Sequence, residues 1–261
     1  MDYSYLLYEE KEGVAIITLN RPEKRNALSM DLLSELHRAL VTAEADEGVD
    51  VVIITGAGKA FSAGIDASDF SFFTVMEGDD GFEAVQDAFG SITVLSEMTK
   101  PTIAAVNGAA VTGAFELVLR CDLIIASESA RFADTHARVG IVPGGGMTQL
   151  LPRLVGAVKA RDISFTGRFI GAAEAYDMGL VSRVVPDDDL LDEALAAAAA
   201  MRLCPQNALR GIKSLINRGI ELPLAEGHAL ELEEFNRWRR SIDPARSADA
   251  LKTIAKKKGR E

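Results

Sequence analysis

Two short segments hold residues whose types and order could do chemistry. The first, Phe61-Ser62-Ala63-Gly64-Ile65-Asp66, follows a β-branched run and the turn Gly56-Ala57-Gly58. Its small side chains let a ligand come close to main-chain N–H groups. The second, residues 106–116 (Val-Asn-Gly-Ala-Ala-Val-Thr-Gly-Ala-Phe-Glu), sets a strand and small residues before a helix N-terminus. Unpaired N–H groups and the helix dipole favour negative charge there. Glu116 lies one helical turn beyond Gly113, so its carboxylate can share a face with that terminus. An anion-stabilising amide and a titratable acid then become neighbours. Taken alone, each segment is better read as tight helix-to-strand packing, with Glu116 steadying its own helix.

Other motifs fail on single residues. Gly56-Ala57-Gly58-Lys59-Ala60-Phe61 follows a strand, but Phe61 stands where a dinucleotide fingerprint needs its third glycine. A phosphate-binding P-loop fails because Ala60 follows Lys59 and Ile53 occupies the first glycine position. No serine has glycines both two before and two after it, so the nucleophile elbow of α/β-hydrolases is absent. His37, His136 and His228 are far apart with no paired spacing, so no metal site is expected.

Positioning the two segments falls to elements that the patterning marks out. Residues 14–19 (Val-Ala-Ile-Ile-Thr-Leu) and 51–55 (Val-Val-Ile-Ile-Thr) read as buried strands. Between them Ser29 or Asp31 can cap a helix whose Leu32, Leu33, Leu36, Leu40 and Val41 recur at helical spacing. A helix over 84–98, a strand over 102–106, a helix over 113–120 and a strand over 123–126 follow. This alternation predicts an α/β fold with mostly parallel pairing, although residues 5–19 can instead hold a hairpin. The last third is helical: Asp187-Asp188-Asp189 is expected to cap an alanine-rich helix that Pro205 ends. Residues 224–240 place Leu224, Ala225, His228, Leu232, Phe235 and Trp238 on one stripe. That stripe fits an intramolecular lid or an oligomer interface.

The chain has 261 residues, 48% of them hydrophobic and 26% charged, enough for one large core without staples. Its 39 acidic and 28 basic residues leave a net charge of −11, which disfavours nucleic acid as a general partner. A local cluster of cations could still take an anionic small molecule. Two cysteines, Cys121 and Cys204, are too few for a disulfide framework and fit a reducing, cytoplasmic location. The N-terminus lacks the basic start and apolar stretch of a signal peptide, and no stretch has the length of a membrane helix.

Several segments in order carry a resemblance. They are Asn20-Arg21-Pro22 with Asn26-Ala27-Leu28, then Lys59 to Asp66, Lys100-Pro101, Asn107-Gly108, Gly113 to Glu116, Cys121-Asp122, Phe132, and residues 140–146 (Gly-Ile-Val-Pro-Gly-Gly-Gly). Together they resemble the crotonase superfamily, the enoyl-CoA hydratase and isomerase group, over nearly the whole chain. The resemblance implies an α/β, crotonase-like spiral of repeated ββα units with a C-terminal helical trimerisation region. It divides the chain into a core over 1–200, for acyl-CoA binding and catalysis, and an oligomerising region over 201–261 of a homotrimer or homohexamer. The substrate implied is an acyl-CoA thioester, with coenzyme A entering as part of it and no separate cofactor or metal.

By position, the amides of Ile65 and Gly113 would form the family's oxyanion hole, with Ala63, Gly64, Ile65 and Asp66 along the CoA and Arg25 and Ala27 on the opposite wall. Hydratases of this family use two carboxylates to hold one water. Glu116 matches the first, and His136 stands where the second glutamate is expected. An imidazole can exchange a proton near neutral pH, so Glu116 and His136 can serve as an acid/base pair. Enoyl-CoA hydration is the reaction implied. The alternatives are isomerisation, thioester or carbon–carbon bond hydrolysis with His136 as base, or acyl-CoA binding without turnover. Asp134 is a weaker candidate, since alternation puts it on the side of His136 only in an extended stretch. Residues 70–81 read as an apolar loop with a hinge that could line an acyl pocket, and Lys256-Lys257-Lys258 reads as a solvated charge run.

Overall fold

The computed structural model describes residues 2–69 and 82–240. Both the loop over 70–81 and the lysine run at 256–258 lie outside the described residues.

The chain opens with a hairpin, β1 (Leu6–Lys11) antiparallel to β2 (Val14–Leu19), as the 5–19 run allowed. Helix α1 (Met30–Ala45) follows, and the Ser29 hydroxyl caps it by accepting from the Leu32 amide. Three strand pairs then recur: β3 (Val51–Gly56) with β4 (Ala60–Ser62), β5 (Thr102–Val106) with β6 (Ala109–Val111), and β7 (Leu123–Ser127) with β8 (Arg131–Ala133). Helix α2 (Phe82–Glu97) joins the first pair to the second, and α3 (Gly113–Leu119) joins the second to the third.

Members of each pair go to different sheets. One sheet runs β1-β2-β3-β5-β7-β10, where β10 is Arg183–Val185, and the other β4-β6-β8-β9, where β9 is Ile170–Gly171. Each ββα unit thus adds one strand to each sheet and advances by one strand spacing, which is a spiral. Pairing among β2, β3, β5, β7 and β10 is parallel throughout.

Parallel strands covered on both faces need apolar residues at every position rather than every second one. Ala15, Ile17, Val52 and Ile54 face a core shared with α1 and α3. Val14, Ile16, Val51, Ile53 and Ile103 face a second core closed by Leu190, Ala194, Ala197 and Ala198 of helix α8 (Leu190–Arg202). Buried Lys100 ties α1 to the start of β5, its Nζ donating to the carbonyls of Ala43 and Asp46 at 2.6 and 2.5 Å.

Beyond β8 come α4 (His136–Val139), α5 (Met147–Val155), α6 (Ala157–Thr166) and α7 (Ala172–Asp177). One expectation fails here. Asp187, Asp188 and Asp189 form a 3-10 turn ahead of α8 and none of them caps it with a side chain; the Asp187 carboxylate instead accepts from the Ser129 amide at 3.0 Å.

A first compact unit ends at Leu209 and a second begins at Arg210, inside helix α9 (Gln206–Gly219). The second unit continues into α10 (Leu224–Arg239), bridged to α9 by Arg218 and Glu234 at 3.2 Å. Among its described residues, Ile212, Ile216, Leu232 and Phe235 are exposed within the single chain. Among the described residues, no helix is long and apolar enough to cross a membrane.

Candidate active site

The spiral brings the two small-residue segments side by side, because β4 and β6 are parallel neighbours and each segment continues from its strand. Leu28 makes a single parallel bridge to Ile65: the Leu28 amide donates to the Gly64 carbonyl, and the Asp66 amide donates to the Leu28 carbonyl. This alternation points the Ile65 amide to the other side. Gly113 opens α3 at the position whose N–H has no helical acceptor, and the first helical bond is the Glu116 amide to the Thr112 carbonyl. Among the described residues, neither the Ile65 nor the Gly113 amide donates a hydrogen bond. The two residues are neighbours: a Cβ on Gly113 would lie 3.2 Å from Ile65 Cδ1.

Several contacts hold this arrangement. Gly64 has φ +90, and a Cβ there would meet the Val111 carbonyl oxygen at 2.7 Å, so only glycine lets the first segment lie on the second. Asn26 donates to the carbonyls of Ala57 and Ala60, and Asn107 donates to that of Gly58, fixing the turn into β4. Thr112 has φ 54 and ψ −112, a conformation β-branched residues avoid. Its amide donates to the Ala133 carbonyl, and its hydroxyl lies 2.5 Å from that of Thr135. The strained residue therefore couples the Gly113 amide to the segment carrying His136.

Glu116 is buried at 4% exposure. Its Oε1 accepts from the amides of Gly145 and Met147 at 2.8 and 3.1 Å, and Arg120 holds that loop by donating to the Gly145 carbonyl. Oε2 lies 3.9 Å from His136 Nε2. The other ring nitrogen, Nδ1, is 2.6 Å from Asp134 Oδ1. The extended stretch that would set Asp134 beside His136 is not present: β8 ends at Ala133, and Thr135, with φ −99 and ψ 10, brings the two side chains together where α4 begins. Burial pushes the Asp134 carboxyl up, but hydrogen bonds from His136 and Ser164 outweigh it and hold the group below its ordinary value.

Ile65, Gly113, Glu116 and His136 thus gather in one place. Ala63 is exposed beside them, and its amide donates to the carbonyl of Arg25, which has φ 51 and an exposed side chain. The Ala27 carbonyl and the Asp66 carboxylate both accept from Arg21, at 2.7 and 3.0 Å, and Ser68 also donates to Asp66. Asp66 is therefore committed to pinning its own segment. Patterning did not single out Thr112, Arg120 or Gly145, because nothing local in the sequence joins residue 145 to residue 116. Among the described residues, no group of His, Cys, Asp and Glu could hold a metal ion.

A model of the enoyl-CoA hydratase/isomerase family matches residues 9–252. Proteins named probable enoyl-CoA hydratase from Mycobacterium bovis and Rhizobium meliloti are 41% and 42% identical to this chain, over 90% of it and 90% of each relative. The crystal structure of an enoyl-CoA hydratase from Bacillus anthracis superposes with a TM-score of 0.87 at 35% identity, covering 96% of this chain and 97% of the other.

Proposed function

The chain belongs to the enoyl-CoA hydratase/isomerase family, and from that premise we propose that it adds water across the 2,3 double bond of an enoyl-CoA thioester. The observation that carries this reading is the pair of amides with open donors, Ile65 and Gly113, set beside the buried Glu116–His136 pair. Two such donors aimed at the thioester oxygen stabilise it as it gains enolate charge, and losing one typically costs about 3–4 kcal/mol of barrier.

In the step itself, the water oxygen bonds to the β-carbon while the π pair of the double bond moves toward the thioester oxygen. One water proton passes to the Glu116–His136 pair and one proton returns to the α-carbon, so the pair ends as it began. Protons move and no net oxidation occurs, so coenzyme A, carried by the substrate, is the only cofactor chemistry required. Ala63, Gly64, Ile65, Asp66 and Gly113 would line the thioester arm, with Arg25 and Ala27 opposite. Residues 1–200 carry this site and 201–261 serve assembly as a homotrimer or homohexamer, a role supported by the exposed apolar residues of the second unit. A cytoplasmic location is supported by the exposed thiol of Cys204.

One observation favours a second reading. A carboxylate-held imidazole such as His136 is also a competent base for isomerisation or for hydrolysis of a thioester or carbon–carbon bond. Crotonyl-CoA separates these. Hydration removes the enoyl absorbance without releasing free thiol, and Glu116→Gln should lower kcat by about 10²-fold or more. Thiol release assigns thioester hydrolysis instead, and unchanged absorbance with tight binding favours isomerisation, carbon–carbon bond hydrolysis or binding without turnover.

A further inference from the structure

The segment between β8 and α4 holds a carboxylate that the proposed reaction does not itself use. Asp134 is 1% exposed, and its Oδ1 faces both the backbone amide of His136 at 3.2 Å and the ring Nδ1 at 2.6 Å. Ser164, from α6, also donates to it. A carboxylate that accepts from an amide and a hydroxyl, and that its surroundings keep ionised, has no proton to offer Nδ1. The proton in the 2.6 Å contact therefore belongs to the ring.

A neutral imidazole carries one N–H, so with that proton on Nδ1 the other nitrogen presents a lone pair. Nε2 lies 3.9 Å from Glu116 Oε2, beyond direct hydrogen-bonding distance and within the span of one water. Glu116 Oε1 already accepts from two amides, which leaves Oε2 as the open acceptor. Two acceptors thus face one gap. A water there donates one O–H to each and keeps its lone pairs for an electrophile. In the opposite tautomer, Nε2–H would point at Oε2 or compete for those lone pairs.

We propose that Asp134 is a positioning residue that holds the His136 ring with its proton on Nδ1, so that Nε2 and Glu116 Oε2 accept hydrogen bonds from the two O–H groups of the attacking water. Its consequence for turnover rests on the hydratase reading, whereas the ring tautomer does not.

The test is nitrogen NMR of the full-length protein labelled at histidine nitrogens, with the His136 signals assigned by their loss in His136→Gln, alongside crotonyl-CoA kinetics. The wild-type ring is expected to carry its proton on Nδ1 alone. Asp134→Asn should remove that signature and lower kcat on the order of 10²-fold, with KM within a few-fold, because it disturbs a base that acts only in the transition state. Asp134→Glu should restore part of both. A wild-type ring protonated at Nε2, alone or together with Nδ1, overturns the proposal, and this measurement stands even where a variant does not fold. A kcat for Asp134→Asn within threefold of wild type overturns it as well. A wild type that leaves crotonyl-CoA unchanged counts against hydration, while the ring signal still decides the role of Asp134.

Discussion

A methyl group on residue 145 would lie 2.7 Å from Glu116 Oε2 and 2.9 Å from Ile92 Cδ1, so the acid occupies the space a side chain would need. The same residue supplies one of the two amides that hold Oε1. Gly145→Ala should therefore displace the carboxylate while costing about 1–2 kcal/mol in stability, since the tip of a glutamate can give way. A shift of about 1 Å at a reacting group can cost about 10²-fold in rate, so kcat with crotonyl-CoA is expected to fall far more than the urea midpoint. Equal kcat in variant and wild type would show that the fixed position of Glu116 does not matter. Gly145 stands in the sequence as one of three consecutive glycines, and nothing local marks it as the one beneath the acid.

The segment from Ser62 to Asp66 owes its course to an ion pair at its far end. Both terminal nitrogens of Arg21 lie 3.0 Å from Asp66 Oδ2, and Ser68 donates to Oδ1 by its amide and its hydroxyl. Hydrogen bonds from Ser68 lead the effects that hold the Asp66 carboxyl below its ordinary value of 3.8, and Arg21 adds to them against the opposing effect of burial. A carboxyl depressed in the folded state contributes stability that is present above its unfolded pKa and lost as pH falls through the folded one. The destabilisation caused by Asp66→Asn should be largest near neutral pH and shrink below 3.8. Urea unfolding of both proteins across that range checks it, and a gap independent of pH would contradict the assignment. The Asn20-Arg21-Pro22 turn was legible as punctuation after a strand; its reach to Asp66 needed the fold.

At the scale of the whole chain, the second unit leaves Ile212 and Ile216 of α9 and Ile220 just after it exposed, with Leu224, Leu232 and Phe235 on α10. A face of this extent is costly to leave in water. With the family assembly proposed above, light scattering should report a trimer or a hexamer, and Ile216→Asp combined with Phe235→Asp should shift it toward monomer. A wild type that scatters as a monomer at micromolar concentration would remove the assembly role from residues 201–261. The stripe was visible as helical periodicity, but periodicity says only that a face is apolar and not what covers it.

Patterning alone marked the main-sheet strands and the helices between them, and not the short strands of the second sheet. The runs at 14–19, 51–55 and 102–106 are apolar at nearly every position because parallel strands are buried on both faces, and the Ser29 cap and the helix at 113 are local chemistry written in consecutive residues. The order of the motifs was likewise enough to expect the spiral. What separates a list of candidates from a site is contact between residues far apart in the chain: Gly145 with Glu116, Arg21 with Asp66, Ile65 with Gly113. Asp134 and His136 show the same limit at short range, since two residues separated by one meet or part according to the backbone between them, and Thr135 there is not extended. Local propensity fixes φ and ψ one residue at a time, whereas the distances that govern proton transfer are sums over many residues, and only the closed spiral determines them.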